Sequence, residues 1–329
     1  MYFGKEIESK NLATEDKIVL FLREKQWVDP KSVAFLAAGE YNENYRVTGT
    51  DADYVFRINH GSQLGIKNQI EYEFRVLQHL SATGVTPVAY YCDPDPGQFA
   101  GGVLLMTFFS GRPFQYIDDS KKAAETFAKI HQVLPSPRLL NQYDPINQII
   151  SESEGLLARF SDHPKCEEKK RLFLYRDELL DEFGDNENLF VGDQACVTNT
   201  EVNSGNFIVE GRAAFLVDWE KAVNSYRYQD LGHFLVPTTT LWKSDFCFDS
   251  DRRIEFLRAY HTATQSTMEF DLLDRRTRIL ERVILLRALS WCFMAFYEYT
   301  RGSRDLQNQG TFKRICWYLD DIDHFLRSA

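Results

Sequence analysis

The stretch that decides the fold is VTNTEVNSGNFIVEGRAAFLVDWEKAVNSYRYQDLGHF, residues 197–234. Within it, two short apolar runs, FIV at 207–209 and AFLV at 214–217, flank the turn EGR at 210–212. Apolar runs of this length around a glycine-containing turn are typical of a tight β-hairpin. The segment therefore predicts a strand-rich island in a part of the chain that is otherwise mainly helical.

Polar side chains stand at both open ends of this hairpin. Glu201 and Asn206 precede its first strand, and Asp218 follows its second strand. Because the strands of a hairpin run side by side, we expect these three side chains to converge in space. Two carboxylates and an amide oxygen are hard ligands, which suit Mg²⁺ completed by water and phosphate oxygens. The sequence therefore predicts a magnesium and phosphate site at this end of the hairpin.

Residues 30–109 have the pattern of a small unit with the order β-β-β-α-β-β. Short runs rich in Val, Phe and Tyr alternate with turn residues, which favours antiparallel strands. Apolar residues at helical spacing between the third and fourth strands predict one helix. The predicted strands are 32–39, 44–49, 54–58, 86–92 and 102–109, and the predicted helix is 66–80.

Helical patterns flank this unit on both sides. Before it, Thr14 followed by two acids, with bases at the end of the same run, predicts a helix that begins with Thr14 as its N-cap. After it, the chain becomes mainly helical apart from the hairpin island. The predicted helices are 123–133, 166–183 and two long amphipathic stretches within 252–299.

The motifs SGNFIV, DWE and QDLGHF, in this order within 204–234, resemble those of the aminoglycoside phosphotransferase and choline kinase family. In that family a catalytic loop H-x-D-x-x-x-x-N precedes a metal-binding strand that ends in D-W-E or a close variant. The resemblance covers about Phe35 to His233, with a family-like helical tail. It implies an α+β, protein-kinase-like two-lobed fold: a small antiparallel sheet lobe at 1–109 and a larger helical lobe at 110–329 with the catalytic hairpin and the acceptor site.

The resemblance also implies an activity, its cofactors and its catalytic residues. The activity is transfer of the γ-phosphate of ATP or GTP, with Mg²⁺, to a hydroxyl of a small molecule. Glu201, Asn206 and Asp218 are implied as catalytic residues, with Asn206 and Asp218 as the metal ligands and Glu201 as the group that orients or deprotonates the acceptor. Asp230 matches the residue that braces the catalytic loop from the following helix.

Further residues are implied to bind the nucleotide. Arg57 occupies the third-strand position that contacts phosphate, and Glu73 matches the helix residue that pairs with it. Residues 38–47 match the loop that covers the nucleotide. The hinge where the base would bind is implied to be Met106, Thr107, Phe108 and Phe109.

The sequence departs from the family at the reacting centre. Glu201 stands at the position of the catalytic Asp, and Asn199 at the position of the loop His. Glutamate keeps the carboxylate but moves it out by one methylene, a length comparable to the tolerance of a positioned proton acceptor. Two functions therefore stay open: an active phosphotransferase, and a catalytically degenerate kinase-like protein that binds nucleotide or a protein partner without turnover.

The charge balance argues against a nucleic-acid partner and identifies no other partner. The 329 residues carry 38 Lys+Arg against 48 Asp+Glu, a formal charge of −10 that is spread along the chain. Nucleic-acid binding needs clustered basic residues, so we expect no nucleic-acid partner. A cationic acceptor stays open, because acidic loops either bind cations or are simply solvated. The acids considered for this are Glu220, Asp245, Asp249 and Asp251.

The sequence also predicts the compartment. The six cysteines lie far apart and lack metal-binding spacing, which favours reduced thiols. The start of the chain has no apolar leader. The most apolar run, VILLRALSWCFMAFY at 283–297, is interrupted by Arg287 and is too short to span a bilayer. We therefore expect a cytoplasmic protein without a membrane partner.

Two other features have a structural and a functional interpretation. His131 and His233 lie in apolar helical contexts, which favours hydrogen-bonded core histidines over general bases. An aromatic series at helical spacing within 291–299 could form a cation box for a quaternary amine. Because the helix is apolar nearly all round, core packing is the favoured interpretation.

Overall fold

A computed structural model describes residues 3–183, 189–302 and 309–327, with the side chains of 3–13 and 309 outside the description. The chain divides into two compact units. The first contains 1–112 together with 208–222, and the second contains 113–207 together with 223–329. The residues around the hairpin turn thus group with the N-terminal unit, whereas the sequence assigned them to 110–329. That predicted division at 109/110 stays a prediction.

The first unit is built on a five-stranded antiparallel sheet with the order β1-β2-β3-β5-β4. Its strands alternate short apolar runs with tight turns, and all five lie where the sequence predicts them. The bounds are β1 Ser32–Ala38, β2 Asn42–Thr48, β3 Asp53–Asn59, β4 Ala89–Asp93 and β5 Val103–Thr107.

Two helices accompany this sheet, α1 Phe3–Glu24 and α2 Gln69–Leu80. The sequence correctly predicts α2, whose apolar residues Ile70, Val76, Leu77 and Leu80 are buried. The predicted N-cap at Thr14 is wrong, because α1 begins at Phe3. The preceding residues lack proline and include many good helix formers, so the helix continues toward the N-terminus past the local cap signal.

The core of the first unit lies between α1 and the sheet. Ile18, Phe21 and Leu22 of α1 are fully buried against side chains of β2, β3 and β5. Burial of a large apolar side chain contributes about 1.5–3 kcal/mol. This packing fixes β3, the strand that carries Arg57.

The predicted hairpin is present as β8 Phe207–Glu210 and β9 Ala213–Leu216. Gly211 at its turn has φ 58°, a left-handed conformation that glycine adopts without steric cost. A short strand, β6 Arg112–Pro113, joins them in a sheet with the order β6-β8-β9.

The second unit is mainly helical, as the sequence predicts. Its strands β7 Cys196–Thr198 and β10 Val223–Ser225 pair antiparallel, and the segment after β7 contains the predicted catalytic loop. The helices are α3 Tyr116–Ile130, α4 Pro145–Ala158, α5 Cys166–Phe183, α6 Tyr228–Leu235, α7 Pro237–Lys243, α8 Ser250–Thr264, α9 Phe270–Arg301, α10 Gln309–Asp320 and α11 Ile322–Arg327.

Helix α9 forms the centre of the second unit and packs against α4, α6 and α10. Its contact with α6 is unusually close at Gly232, where an added Cβ would lie 2.9 Å from the backbone nitrogen of Glu281. Only glycine fits there without moving backbone. This close approach places α6 and α9 side by side next to the loop after β7. None of the described helices combines the length and the apolarity that a bilayer crossing requires.

Replacing Gly232 by alanine should destabilise the second unit. The added methyl group meets helix backbone rather than a flexible side chain, and overpacking of this kind costs about 1–3 kcal/mol. The matched control is Gly155→Ala in the exposed face of α4, where no atom lies within 4 Å of the new Cβ. That variant should be more stable by about 0.5–1 kcal/mol. Urea unfolding measures both changes, and equal effects of the same sign would contradict the close packing of α6 on α9.

Candidate functional site

Asp218 lies just beyond β9 in a left-handed backbone conformation, with φ 65°. The residue after it, Trp219, is fully buried and anchors the segment. Its indole Nε1 donates to the carbonyl of Leu216 at 2.9 Å, and its backbone nitrogen donates to Glu73 Oε1 at 3.3 Å. The Trp of the DWE motif thus holds the Asp218 backbone in a conformation that non-glycine residues rarely adopt.

The guanidinium of Arg57 connects β3, α2 and the segment after β9. Its Nη1 donates to Glu73 Oε1 at 2.6 Å and to Asp218 Oδ1 at 3.0 Å, and its Nε donates to Asn44 Oδ1 at 2.9 Å. Its Nη2 makes no hydrogen bond to any described residue. The structure thus pairs Arg57 with Glu73, and it leaves one nitrogen of the guanidinium as a donor.

Burial and charge act against each other in this cluster. Burial lowers the pKa of Arg57, but the nearby carboxylates of Glu73, Asp218 and Glu220 outweigh it and leave that pKa raised. For Glu73, burial raises the carboxyl pKa against the opposing effect of Arg57. Glu73 Oε2 is buried and has no partner among the described residues. The carboxylates outnumber the cation, which favours a further positive charge beside them.

Glu220 has a role in this cluster that sequence reasoning missed. Its Oε2 accepts from Asn42 Nδ2 at 2.6 Å, and its backbone oxygen accepts from Gln69 Nε2 at 2.6 Å. Burial, followed by the charges of Asp218 and Glu73, raises the pKa of Glu220 to about 7. Glu220 therefore ties Asn42, the first residue of β2 and part of the segment predicted to cover the nucleotide, to the segment that carries Asp218.

The four predicted hinge residues lie at and just after the end of β5. Met106 is buried, whereas Thr107, Phe108 and Phe109 are partly exposed. The Phe108 ring lies under the Arg46 guanidinium at 4.5 Å, and the Phe109 ring stacks on Phe215 at 4.1 Å.

Two backbone N–H groups at this hinge already donate hydrogen bonds within the protein. The N–H groups of Thr107 and Phe108 donate to the carbonyls of Val88 and Asp53. A base bound here could not take these two hydrogens without breaking those bonds.

In the second unit, Asp230 of α6 braces the loop after β7. Its Oδ2 accepts from the backbone nitrogen of Asn199 at 2.9 Å, and its Oδ1 accepts from that of Thr200 at 2.8 Å. Asp230 is fully buried, and its carboxylate also contacts His131 Nε2 at 3.2 Å. The brace that the resemblance implied for Asp230 is therefore present.

The backbone of Glu201 is held on both sides by asparagine side chains. Its nitrogen donates to Asn199 Oδ1 at 3.2 Å, and its carbonyl accepts from Asn206 Nδ2 at 2.8 Å. Asn199, at the position where the resemblance implies a histidine, thus shapes the loop through this hydrogen bond. The Asn206 Nδ2 donates to the Glu201 carbonyl, and the remaining polar atom of this amide is Oδ1. Asn206 Oδ1 has no hydrogen bond to a described residue.

Two further side chains, neither of which the sequence assigned to this loop, hold it at carbonyl groups. Arg287 of α9 donates from Nη2 to the Thr200 carbonyl at 3.1 Å, and His233 Nδ1 contacts the Val202 carbonyl at 3.0 Å. Burial and the charge of Arg287 lower the pKa of His233 to about 4, so the ring is neutral near pH 7. The neutral ring must carry its proton on Nδ1 to donate to Val202.

The two histidines make hydrogen bonds within the second unit, whereas Phe293 is the one buried member of the aromatic series within 291–299 and the other aromatics are partly exposed, so core packing of that series stays a prediction. His131 is buried, with Nδ1 3.0 Å from the Tyr260 hydroxyl and Nε2 near Asp230, and burial lowers its pKa. Of the aromatic series, Phe293 is fully buried and Trp291 packs edge-on against Trp242 at 5.8 Å. The interpretation of the two histidines as hydrogen-bonded residues is confirmed.

The donors present in each unit fit Mg²⁺ in their chemistry. Asp218 offers a carboxylate whose side chain is 37% exposed, and Asn206 offers an amide oxygen. Hard oxygen donors in this small number suit an ion that keeps several waters and phosphate oxygens. Asp218 lies in the first unit with Arg57 and Glu73, and Asn206 lies in the second with Glu201. Convergence of the three hairpin-end side chains stays a prediction.

Comparison with known proteins identifies a family. A family model described as the phosphotransferase enzyme family, APH, matches residues 32–277 of the chain. Among the curated proteins, none matches this sequence.

Three solved structures illustrate the fold similarity. A Ralstonia eutropha protein assigned to the aminoglycoside phosphotransferases is 14% identical with a TM-score of 0.68, over 95% of this chain and 98% of that chain. A spectinomycin phosphotransferase in complex with ADP and spectinomycin is 11% identical with a TM-score of 0.62, over 95% and 98%. A Plasmodium vivax ethanolamine kinase is 16% identical with a TM-score of 0.64, over 96% and 88%. The similarity confirms the α+β, kinase-like fold.

The low pKa of His233 predicts a specific acid sensitivity. The folded value of about 4 lies below the usual 6.5, so the unfolded chain binds the proton more tightly. The stabilisation is complete above about pH 6.5 and is lost as the pH falls toward 4, with an upper limit of about 3 kcal/mol.

Urea unfolding of the wild type and of His233→Asn between pH 7 and pH 4.5 measures this effect. Asparagine keeps a donor near the Val202 carbonyl but does not titrate. The unfolding free energy of the variant should fall less steeply in acid. Parallel curves for the two proteins would show that His233 is not held neutral by the fold.

Proposed function

Because the chain belongs to the phosphotransferase enzyme family, APH, we propose that it transfers the γ-phosphate of a Mg²⁺-bound nucleoside triphosphate, ATP or GTP, to a hydroxyl of a small molecule. The observation that carries the proposal is the Arg57 cluster. A buried guanidinium is fixed by Glu73, Asp218 and Asn44 and keeps one nitrogen free of described partners. Such a pre-oriented donor suits a phosphate oxygen.

Each residue group has one role in this proposal. Arg57 binds phosphate oxygens, and Glu73 holds the guanidinium in place. Asn206 and Asp218 would hold Mg²⁺, which when bound neutralises charge on the phosphates. Met106 to Phe109 would contact the base. The uneven charge of the Arg57 cluster supports the metal assignment, because its carboxylates lack a matching number of cations.

Glu201 is proposed as the proton acceptor. The acceptor hydroxyl oxygen forms the new bond to the γ-phosphorus while the bond to the β,γ-bridging oxygen breaks. The hydroxyl proton passes to the Glu201 carboxylate, and the nucleoside diphosphate leaves. Phosphoryl transfer depends mainly on positioning and charge, so a carboxylate one methylene longer can serve if its backbone is fixed. The two asparagine contacts to the Glu201 backbone supply this fixation.

The names of two structurally similar proteins suggest the general class of acceptor. The spectinomycin phosphotransferase and the ethanolamine kinase are named for small molecules that carry hydroxyl groups. A small hydroxyl compound is therefore the proposed acceptor, and a cationic one is the first to test.

The test is nucleotide consumption with ATP and with GTP across a panel of aminoglycosides, choline, ethanolamine and uncharged hydroxyl compounds. The wild type should consume nucleotide with at least one of them. Glu201→Gln should lower kcat by about 10²–10⁴-fold, the usual contribution of a general base. Asp218→Ala should abolish most of the wild-type turnover, because it removes the carboxylate proposed to hold Mg²⁺. The matched control is Glu167→Gln on the exposed surface of α5, which should leave kcat unchanged.

A protein that binds nucleotide without turnover is the alternative, and the departures at Asn199 and Glu201 favour it. Thermal unfolding with Mg²⁺ and nucleotide separates the two. A ligand at 100 times its Kd adds about 2.7 kcal/mol of stability. A shift without turnover for every compound would contradict the enzyme proposal and support the alternative. No shift and no turnover would contradict nucleotide binding altogether.

A further inference from the structure

Arg287 is a buried cation in the most apolar run of the chain. It lies in the middle of α9 with 8% of its surface exposed, and its neighbours along the helix are almost all apolar. A charge in such surroundings is unfavourable unless hydrogen bonds or an opposite charge compensate it. No carboxylate pairs with Arg287 among the described residues, and its hydrogen bond there goes from Nη2 to the Thr200 carbonyl. Stability alone gives little reason for an arginine at this position.

The partner of Arg287 is the strained residue of the loop. Thr200 has φ 71°, a left-handed conformation in which a β-branched side chain is crowded. Residues in such conformations persist only when the surroundings hold them, and they cluster at functional sites. Thr200 directly precedes Glu201.

Two helices hold the two peptide groups of Thr200. Asp230 of α6 accepts from its nitrogen at 2.8 Å, and Arg287 of α9 donates to its carbonyl at 3.1 Å. On the other side of Glu201, His233 contacts the Val202 carbonyl. The carbonyl that Arg287 holds belongs to the peptide bond that leads into Glu201, so its orientation sets the direction in which the Glu201 backbone leaves Thr200.

We propose that Arg287 is a positioning residue for phosphoryl transfer: it holds Thr200 in its left-handed conformation and thereby fixes the place of the Glu201 carboxylate. The inference rests on the proposed function, in which Glu201 accepts the proton of the acceptor. Arg287 acts through the loop and touches neither nucleotide nor acceptor in this role. A lysine cannot replace it fully, because a single ammonium on a flexible stem lacks the planar guanidinium geometry.

The activity test uses Arg287→Met and Arg287→Lys. Methionine keeps much of the apolar stem and removes the donor. We expect kcat to fall about a hundredfold, the usual effect of a misplaced reacting group. The KM for the nucleotide should stay within about twofold, since the nucleotide contacts are elsewhere. Arg287→Lys should fall between the wild type and Arg287→Met.

Chemical rescue separates positioning from general damage. Guanidinium at low millimolar concentration should restore part of the kcat of Arg287→Ala, because the free ion can occupy the space of the side chain and donate to Thr200. The control is Arg276→Met, which removes another buried arginine of α9 whose partners are Asp193 and Tyr228. This variant should lower the free energy of unfolding, but it should not show the fall in kcat at nearly constant KM that is expected of Arg287→Met. The proposal would be overturned if Arg287→Met and Arg276→Met lowered kcat equally, or if guanidinium did not raise the kcat of Arg287→Ala.

Hydrogen exchange tests the same contact without relying on activity. In Arg287→Met the amides of residues 199–202 should exchange faster than in the wild type, while they should be unchanged in Arg276→Met. Unchanged exchange of this loop in Arg287→Met would contradict the role of Arg287. A wild type that lacks phosphoryl transfer would contradict the proposed function separately.

Discussion

The buried carboxylate of Asp230 is the constraint on which the geometry of the candidate site depends. It accepts hydrogen bonds from two consecutive backbone nitrogens at the start of the loop after β7. A carboxylate without exposure to solvent is stable only when such donors surround it. Removing Asp230 would leave two backbone N–H groups without these acceptors, and removing the loop would take two donors from a buried carboxylate, so loop and helix keep each other in place. The close approach of α6 to α9 at Gly232 then sets where Arg287 can reach the same loop.

In the first unit, a single guanidinium lies among several carboxyl groups. Arg57 donates to Glu73 and Asp218, and Glu220, whose pKa is raised to about 7, adds a third carboxyl group nearby. An excess of carboxyl groups around one guanidinium is unfavourable by itself and favourable beside a metal cation. The cluster therefore gives a physical reason for the proposed dependence on Mg²⁺. In the proposed function, the Arg57 cluster of the first unit would bind phosphate, and the loop after β7 in the second unit would carry Glu201 and Asn206.

Local patterns and family motifs predict different parts of this structure. The hairpin could be predicted because short apolar runs and the turn at Gly211 specify it locally, and the brace by Asp230 follows from the motif order. The contact from Asn42 to Glu220 spans 178 positions and that from Arg287 to Thr200 spans 87. Such pairs depend on tertiary packing, so Arg287 stands out in the sequence merely as an interruption of an apolar run. At Thr14, a local cap signal is overridden by good helix formers before it.

The central claim is that these residues bind a metal-bound nucleotide with Glu201 directed at the reacting phosphate. A crystal structure with Mg²⁺ and a non-hydrolysable nucleoside triphosphate measures this directly. The account predicts Mg²⁺ bound by Asn206 Oδ1 and Asp218, phosphate oxygens on Arg57, and the Glu201 carboxylate on the γ-phosphate side. A nucleotide bound away from Arg57, or a Glu201 side chain turned away from the γ-phosphate, would contradict it.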